Sequence, residues 1–415
     1  MTVQVLTYPF LFLAIFFEAF VLVTFLSKPA GESRKVRAAF GGAASVPSVA
    51  VIVPCWNEGK TVAATADSLL ALDYPAENLE IILVDNASTD ETSAVMARYA
   101  DHPQVRVIRE AKRGKHNAVN AGIALTQAEF IGCLDADSFV EKSALRESVA
   151  HFTSPDIAAV TAGMSVHKPG NWLQHMQNAE YIFGITRQNA LAVVHGVHVT
   201  PGPFSLYRRS AVLEAGGFRH GHQTEDLEMA LRLQRYGYHI ANAPRARVYT
   251  KAPATILKLI KQRTRWTSGY MRNTLNEYRD MVGNPRYGAL GLITLPLGTL
   301  TTVTSVLLFF VLLYEMSKRL VSAVSMRIGV PLSYSLAPHA AWSWFYLPAS
   351  VYSLLALLTI AASIALILIG QRISKTPGPL LTGIASYVFL YLFIAPLWVM
   401  RASADVALGK TRGWR

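Results

Sequence analysis

Residues 49–54 read VAVIVP, an uncharged run that leads into Cys55-Trp56-Asn57-Glu58. A short apolar run bounded by polar residues is what a strand buried on both faces of a parallel sheet requires. EIILVD at 80–85, VRVI at 105–108 and FIGCLD at 130–135 repeat the pattern, and helical stretches fall between them near 59–72, 90–100 and 115–127. Strands alternating with helices predict an α/β fold, with a mostly parallel sheet covered on both faces, over residues 48–250. Ligands of such sheets bind beyond the carboxyl ends of the strands. Asn57, Asp85 and Asp135 to Asp137 fall there.

The rest of the chain has a different character. Of 415 residues, 52% are hydrophobic and only 16% charged, against roughly 25% charged in soluble domains. Intrinsic disorder is excluded, and two cysteines exclude a disulfide-stapled scaffold. The net charge of +12 is unevenly spread: residues 1–250 hold 22 basic and 23 acidic groups, residues 251–415 hold 17 and 4. A basic belt beside long apolar runs fits the anionic cytoplasmic leaflet and makes membrane lipids a partner. No nucleic-acid recognition motif accompanies the charge, so nucleic acid is not expected as a partner.

Residues 8–26 form the first apolar run, about 28 Å as a helix at about 1.5 Å per residue, close to the hydrocarbon thickness. We place an N-terminal transmembrane helix at 6–27. Lys28, Arg34, Lys35 and Arg37 follow it, which puts the next domain in the cytoplasm. A cleaved signal peptide would need a basic start and a shorter core. Glu18 lies mid-span and should face protein. Residues 38–47 read as a linker. Residues 251–282 form a basic amphipathic interface region. Residues 287–400 hold three or four spans, with apolar stretches near 287–314, 345–370 and 379–400 and a shorter or re-entrant segment near 328–344. A basic tail, 401–415, follows. The pattern describes a multi-pass protein of the inner or plasma membrane. Three C-terminal spans would put the tail outside, whereas its charge prefers the inside.

Five motifs carry chemistry. Asp135-Ala136-Asp137 ends a strand, and alternation puts both carboxylates on one side. Hard oxygen ligands there suit Mg²⁺ or Mn²⁺ bridging a diphosphate, although such a triplet also marks ordinary turns. Asp85 in VDNASTDET is placed to meet a base or ribose. Lys115, in the turn KRGK at 112–115 that opens a helix, suits phosphate oxygens. Thr224-Glu225-Asp226 precedes a helix; it reads as a helix start or as a site where Asp226 is a general base. QRTRW at 262–266 offers arginines to a leaving diphosphate and a Trp face to a sugar ring.

In this order the motifs resemble the family 2 glycosyltransferases of the GT-A fold, whose core is Rossmann-like. The resemblance is closest to the membrane-embedded processive hyaluronan, chitin, cellulose and poly-N-acetylglucosamine synthases, and it covers roughly residues 48–275. It implies an inverting transfer from a nucleotide-diphosphate sugar, UDP-linked, with Asp226 as catalytic base. Asn57, Glu58, Asp85, Lys115, Asp135, Arg263 and Arg265 are then expected to bind the nucleotide sugar. Gly202, Pro203, Glu225, Gln262 and Trp266 are expected to bind the acceptor. Asp137, with Asp135, would hold the metal.

The chain departs from the family in having Asp85-Asn86 where two acids often stand. It shows no clear gating segment after Trp266, and no cyclic-dinucleotide sensor domain is expected after the last span. Two enzymatic readings follow: elongation of a polysaccharide, favoured by QRTRW, or transfer of one sugar to a lipid acceptor, favoured by the few spans. A non-catalytic carbohydrate-binding membrane subunit is the third. His195, His198, His220 and His222 lack a metal-ligand frame, and Cys55 and Cys133 read as packing residues. The sugar, the acceptor and the oligomeric state, a homo-oligomer included, stay open.

Overall fold

The computed structural model describes residues 3–27, 46–329 and 350–410. Helix α1 (Val3–Leu26) is followed by an alternation of strands and helices: β1 (Val49–Cys55), α2 (Val62–Leu70), β2 (Leu79–Asp85), α3 (Thr92–Ala97), β3 (Val105–Arg109), α4 (Lys115–Leu125) and β4 (Phe130–Cys133). These are the four strands and three helices expected from the apolar runs. A second half adds β5 (Ser138–Val140), α5 (Ala144–Val149), β6 (Ile157–Val166), α6 (Trp172–Val193), β7 (Ser205–Arg208), α7 (Arg209–Glu214), α8 (Glu225–Arg235) and β8 (His239–Thr250).

The eight strands form one sheet in the order β3-β2-β1-β4-β7-β6-β8-β5. The ladders among β1 to β4 are all parallel. Beyond them β6 pairs parallel with β8, but β4–β7, β6–β7 and β5–β8 are antiparallel. The sheet is therefore mixed, and the antiparallel half is the part the short apolar runs did not announce.

Side-chain alternation splits β1 between two cores. Val49, Val51, Val53 and Cys55 pack with α2, α3 and α5, through Val62, Leu69, Met96 and Leu145. Ala50 and Ile52 pack on the other face with Val119 and Ile123 of α4 and Met229 and Leu233 of α8. A strand sandwiched this way has no polar face, which is why VAVIVP carries no charge. Cys55 and Cys133 are buried and free, as packing residues.

Helix α9 (Ile256–Arg272) starts behind Thr255, whose side chain accepts from the Lys258 N–H. Short π and 3₁₀ turns lead to α10 (Leu295–Ser325), then α11 (Val351–Ser374) and α12 (Leu381–Ala407). Among the described residues four helices are long and apolar enough to cross a membrane: Thr7–Leu26, Leu290–Ser325, Val351–Ser374 and Leu381–Ala407. Three of them match the C-terminal stretches read from sequence, and α12 extends through Arg401 into the region read as tail. The short segment expected near 328–344 lies, from residue 330 on, outside the described residues. Glu18 is buried and accepts from Ser363 of α11, so it meets protein.

The domain packs onto these helices through α6. Thr186 donates to the Leu366 carbonyl of α11 at 2.7 Å. Leu173, Met176 and Leu259 form one cluster with Ile394 and Trp398 of α12. Helix α9 thus lies against a candidate span as well as against the domain, with Leu259, Arg263, Thr264 and Gly269 buried.

Candidate active site

Three parallel strands end at the same edge and place the site. After β2, Asp85 is buried, and both its oxygens are held: Oδ1 accepts from the Ser88 N–H at 3.0 Å and Oδ2 from Ser93 Oγ at 2.5 Å. Burial alone would raise its pKa; the Ser93 and Ser88 hydrogen bonds outweigh that and hold it below the usual value. Asn86, its neighbour, is a clamp. It donates to the carbonyls of Glu110 and Lys112 and accepts from the Gly114 N–H at 2.8 Å. An aspartate could not donate, so the Asn suits this chain's basic loop, and no local pattern in the sequence announced it.

After β1, Asn57 accepts from the Thr89 N–H at 2.8 Å, tying the β1 and β2 loops together. The Glu58 side chain accepts from Thr61. Asn57 and Glu58 line a cleft of about 470 Å³ with Lys60, Thr61, Asp90, Glu91, Asp137 and Lys251.

After β4, burial alternates as expected: Leu134, Ala136, Ser138 and Val140 are buried, Asp135 and Asp137 more accessible. Asp137 faces the cleft. Asp135 is engaged instead by Lys115, whose Nζ lies 2.6 Å from Asp135 Oδ1 and 2.9 Å from Glu225 Oε1. The Lys115 side chain is only 10% exposed. Burial disfavours its charge, but the two carboxylates more than compensate and raise its pKa well above the ordinary value. Among the described residues no group of three His, Cys, Asp or Glu side chains is set to hold a metal by itself. The four histidines form no such frame.

Asp226 opens α8 beside this cluster. Its Oδ1 accepts from the Leu227 N–H at 2.8 Å and its Oδ2 from the Gly202 N–H at 3.2 Å. Thr200 Oγ1 donates to its carbonyl at 2.7 Å and accepts from the Tyr207 hydroxyl. The helix N-terminus favours a charged carboxylate, but burial and the neighbouring Glu225 win and push the pKa up to about 6. Glu225 goes the other way: Lys115, with Arg265, overcomes burial and holds it below its ordinary value. Two adjacent acids are thereby driven apart, a pattern of acid–base sites.

Gly202 packs tightly against this ion pair. A Cβ would lie 2.6 Å from Lys115 Nζ and 2.9 Å from Asp135 Oδ2. Gly269 of α9 is closely packed too: its Cβ would lie 2.4 Å from Thr224 Oγ1. Asn273 completes the joint by donating to Gly221, Thr224 and Gly269. Gly269 and Asn273 thus dock the QRTRW helix onto the Thr224-Glu225-Asp226 turn.

Within QRTRW, Arg265 neighbours Glu225. Trp266 packs, partly buried, against Val166, Tyr181 and Ala252. Gln262 Oε1 is buried with no hydrogen-bond partner among the described residues. Arg263 points elsewhere than the reading as a diphosphate clamp expects. It is buried, paired to Glu180 at 2.7 Å, and its guanidinium lies 4.3 Å from the Trp266 ring centre.

A profile of the family described as glycosyltransferase like family 2 matches residues 47–269. The chain belongs to glycosyltransferase family 2. The matched region takes in every candidate site residue named above, from Asn57 to Trp266.

Among curated proteins, this family 2 chain is 32% identical over 229 residues to a poly-beta-1,6-N-acetyl-D-glucosamine synthase of Staphylococcus epidermidis, covering 54% of the chain and 55% of the relative. A second S. epidermidis synthase, from strain RP62A, is 30% identical over 269 residues, 64% of each chain. One from Staphylococcus aureus strain COL is 30% identical over 244 residues, 58% of each. The chain thus spans between about half and two thirds of the length of these relatives. Among solved structures, the mannosyltransferase PcManGT of Pyrobaculum calidifontis, in complex with GDP-Man and Mn²⁺, superposes with a TM-score of 0.60 at 18% identity. It covers 99% of this chain and 100% of its own. The likeness shows a shared fold, GT-A in the catalytic domain.

Proposed function

We propose that the chain is an inverting, membrane-bound glycosyltransferase that elongates a polysaccharide from a UDP-sugar on the cytoplasmic face. The observation that carries this is the placement of Asp226: partly accessible, with its pKa pushed up to about 6, hydrogen-bonded to Gly202, and docked through Gly269 to the helix bearing Trp266. A carboxylate of that pKa is charged at neutral pH and is a stronger base than an ordinary aspartate. The relatives' name makes N-acetylglucosamine the first sugar to test.

In this reading Asp226 takes the proton of the acceptor hydroxyl as that oxygen attacks the anomeric carbon. The new glycosidic bond forms as the bond to the diphosphate breaks, and the nucleoside diphosphate leaves with the bonding electrons. Trp266 stacks on the acceptor sugar, and the unpartnered Gln262 Oε1 accepts one of its hydroxyls. Gly202 and Pro203 wall the acceptor side, Glu225 holds Lys115 in place, and Asp85 meets the nucleoside. Asn57 and Glu58 shape the donor cleft.

Lys115 is shared between two carboxylates, so it offers a diphosphate only part of its charge. More of the neutralisation falls to Arg265 and to Lys60 and Lys251 in the cleft. The Asp137 carboxylate faces the cleft and suits one hard oxygen ligand of a divalent ion, Mg²⁺ or Mn²⁺, whose remaining ligands the donor's diphosphate would supply. Asp135 stands next along the strand end. Such an ion, when bound, neutralises the leaving diphosphate.

The test is a purified sample in nanodiscs with Mg²⁺ or Mn²⁺ and radiolabelled UDP- and GDP-sugars, UDP-N-acetylglucosamine first, plus lipid extract. Products that grow in mass with time support elongation. A single lipid-soluble product replaces it with transfer to a lipid acceptor. Donor binding without turnover on any acceptor removes the enzymatic reading.

A further inference from the structure

Helices α6, α9 and α12 meet at one carboxylate. Glu180, on α6, accepts from Arg263 Nη2 at 2.7 Å through Oε2 and from the Tyr391 hydroxyl of α12 at 3.2 Å through Oε1. Arg263 in turn lies over two rings, 4.3 Å from the Trp266 centre and 5.4 Å from that of Tyr181. Arg263 is 7% exposed, and its pairing leaves little charge to offer outside. Moving it to a diphosphate would strand the Glu180 carboxylate, a costly change for a largely buried charge.

We propose that Glu180 is a positioning residue for the acceptor: by holding Arg263 against Trp266 it fixes the plane of the ring on which the acceptor sugar stacks. The proposal rests on the reading of Trp266 as the acceptor platform. A planar cation over an indole face is attractive and directional, so the ring loses one of its orienting contacts when Arg263 is released. Tyr391 ties the same carboxylate to a candidate span and lies tilted against Tyr387, ring centres 4.7 Å apart. The acceptor platform and the membrane helix are therefore braced by one side chain. Arg263, which the motif alone would give to the leaving group, serves the opposite substrate.

The test compares wild type, Glu180→Ala, Glu180→Gln, Arg263→Lys and Trp266→Ala. The probes are UDP-N-acetylglucosamine and a β-1,6-linked N-acetylglucosamine tetrasaccharide, or whichever donor and saccharide the wild-type chain turns over. Glu180→Ala is expected to raise the acceptor KM about tenfold while kcat at saturating acceptor and the donor Kd stay within threefold. Glu180→Gln keeps an acceptor for Arg263, with its amide N–H free to donate to the Tyr391 oxygen instead of accepting from it, and is expected to recover most of the loss. Arg263→Lys keeps the charge but not the planar contact, and is expected to raise the acceptor KM with the donor Kd unchanged. Adding Glu180→Ala to Trp266→Ala is expected to raise KM no further.

An unchanged acceptor KM in Glu180→Ala, or a weakened donor Kd in Arg263→Lys, overturns the proposal. If Glu180→Ala does not fold, Glu180→Gln and Arg263→Lys decide it by the same two constants. An unchanged KM in Trp266→Ala instead overturns the acceptor reading itself, so the two failures are told apart.

Discussion

The backbone N–H of Gly202 donates to Asp226 Oδ2 at 3.2 Å, across 24 residues of chain. The contact joins the segment entering β7 to the first turn of α8, and it exists because Gly202 has no side chain to collide with Lys115 and Asp135. Asp226, Lys115 and Asp135 come together around this one glycine.

Gly202→Ala is expected to cost at least tenfold in transfer. Its Cβ would fall 2.6 Å from Lys115 Nζ and 2.9 Å from Asp135 Oδ2, so the segment or the ion pair must shift. Initial rates of sugar incorporation check this, with the melting temperature in detergent showing whether the fold survives. An unimpaired rate would remove the steric account.

Asp226→Asn is expected to lower kcat by roughly 10²–10⁴-fold, the range for losing a general base, with donor binding retained. Its stability effect has a definite sign. The folded carboxyl titrates at about 6, above its ordinary 3.8, so protonation favours folding. The contribution of this group falls as pH rises from 3.8 to about 6 and stays low beyond. The Asn variant lacks this titration and can accept from only one of the Leu227 and Gly202 N–H groups, so the melting-temperature difference, measured side by side, should move in the wild type's favour as pH falls from 7.5 to about 4.

The pH profile of transfer should carry the same signature. Burial and Glu225 raise the Asp226 pKa, so activity should climb as pH passes about 6 and level off near neutrality. A limb near pH 4 in the kcat profile would assign the base to another group.

Removing Lys115 should damage the fold as well as the chemistry. Lys115→Met leaves Asp135 and Glu225 without their cation, and stranding a buried partner costs about 3–5 kcal/mol. A clear fall in the melting temperature is expected at pH 7.5. It should shrink in mild acid, where the carboxylates take up protons. A melting temperature equal to wild type would show that the pair contributes nothing net.

Chelation is expected to abolish transfer, and Mn²⁺ or Mg²⁺ to restore it. Asp137→Ala should weaken metal-dependent donor binding, read by calorimetry with and without the ion, while leaving the Lys115–Asp135 pair and the melting temperature in place. Full metal-dependent donor binding in that variant would assign the ion to other oxygens.

Much of this is legible in the sequence. The runs at 49–54, 80–85 and 130–135 became inner parallel strands because a strand buried on both faces must be largely apolar, and the run at 105–108 became the edge strand β3, which leaves Arg106 exposed. The candidate spans were legible because hydrocarbon thickness sets a minimum length. Strands β6 to β8 were harder to read: Ala158 to Gly163 is rich in small residues, and β8 carries Asn242, Arg245 and Arg247.

Within the site, the residue types and their order came from the sequence. A carboxylate pair at a strand end, an acidic helix start and a basic helix with a Trp are local patterns, and local patterns are written in consecutive residues. Their partners are not. The sequence could not say that Lys115 lies between Asp135 and Glu225, that Gly202 meets Asp226, or that Arg263 turns to Glu180 over an interval of 83 residues. A side chain's charge is fixed by its chemistry, but which group shares that charge, and at what pKa, depends on distance and burial. Only the packing of α4, α6, α8 and α9 against the sheet and the candidate spans decides those.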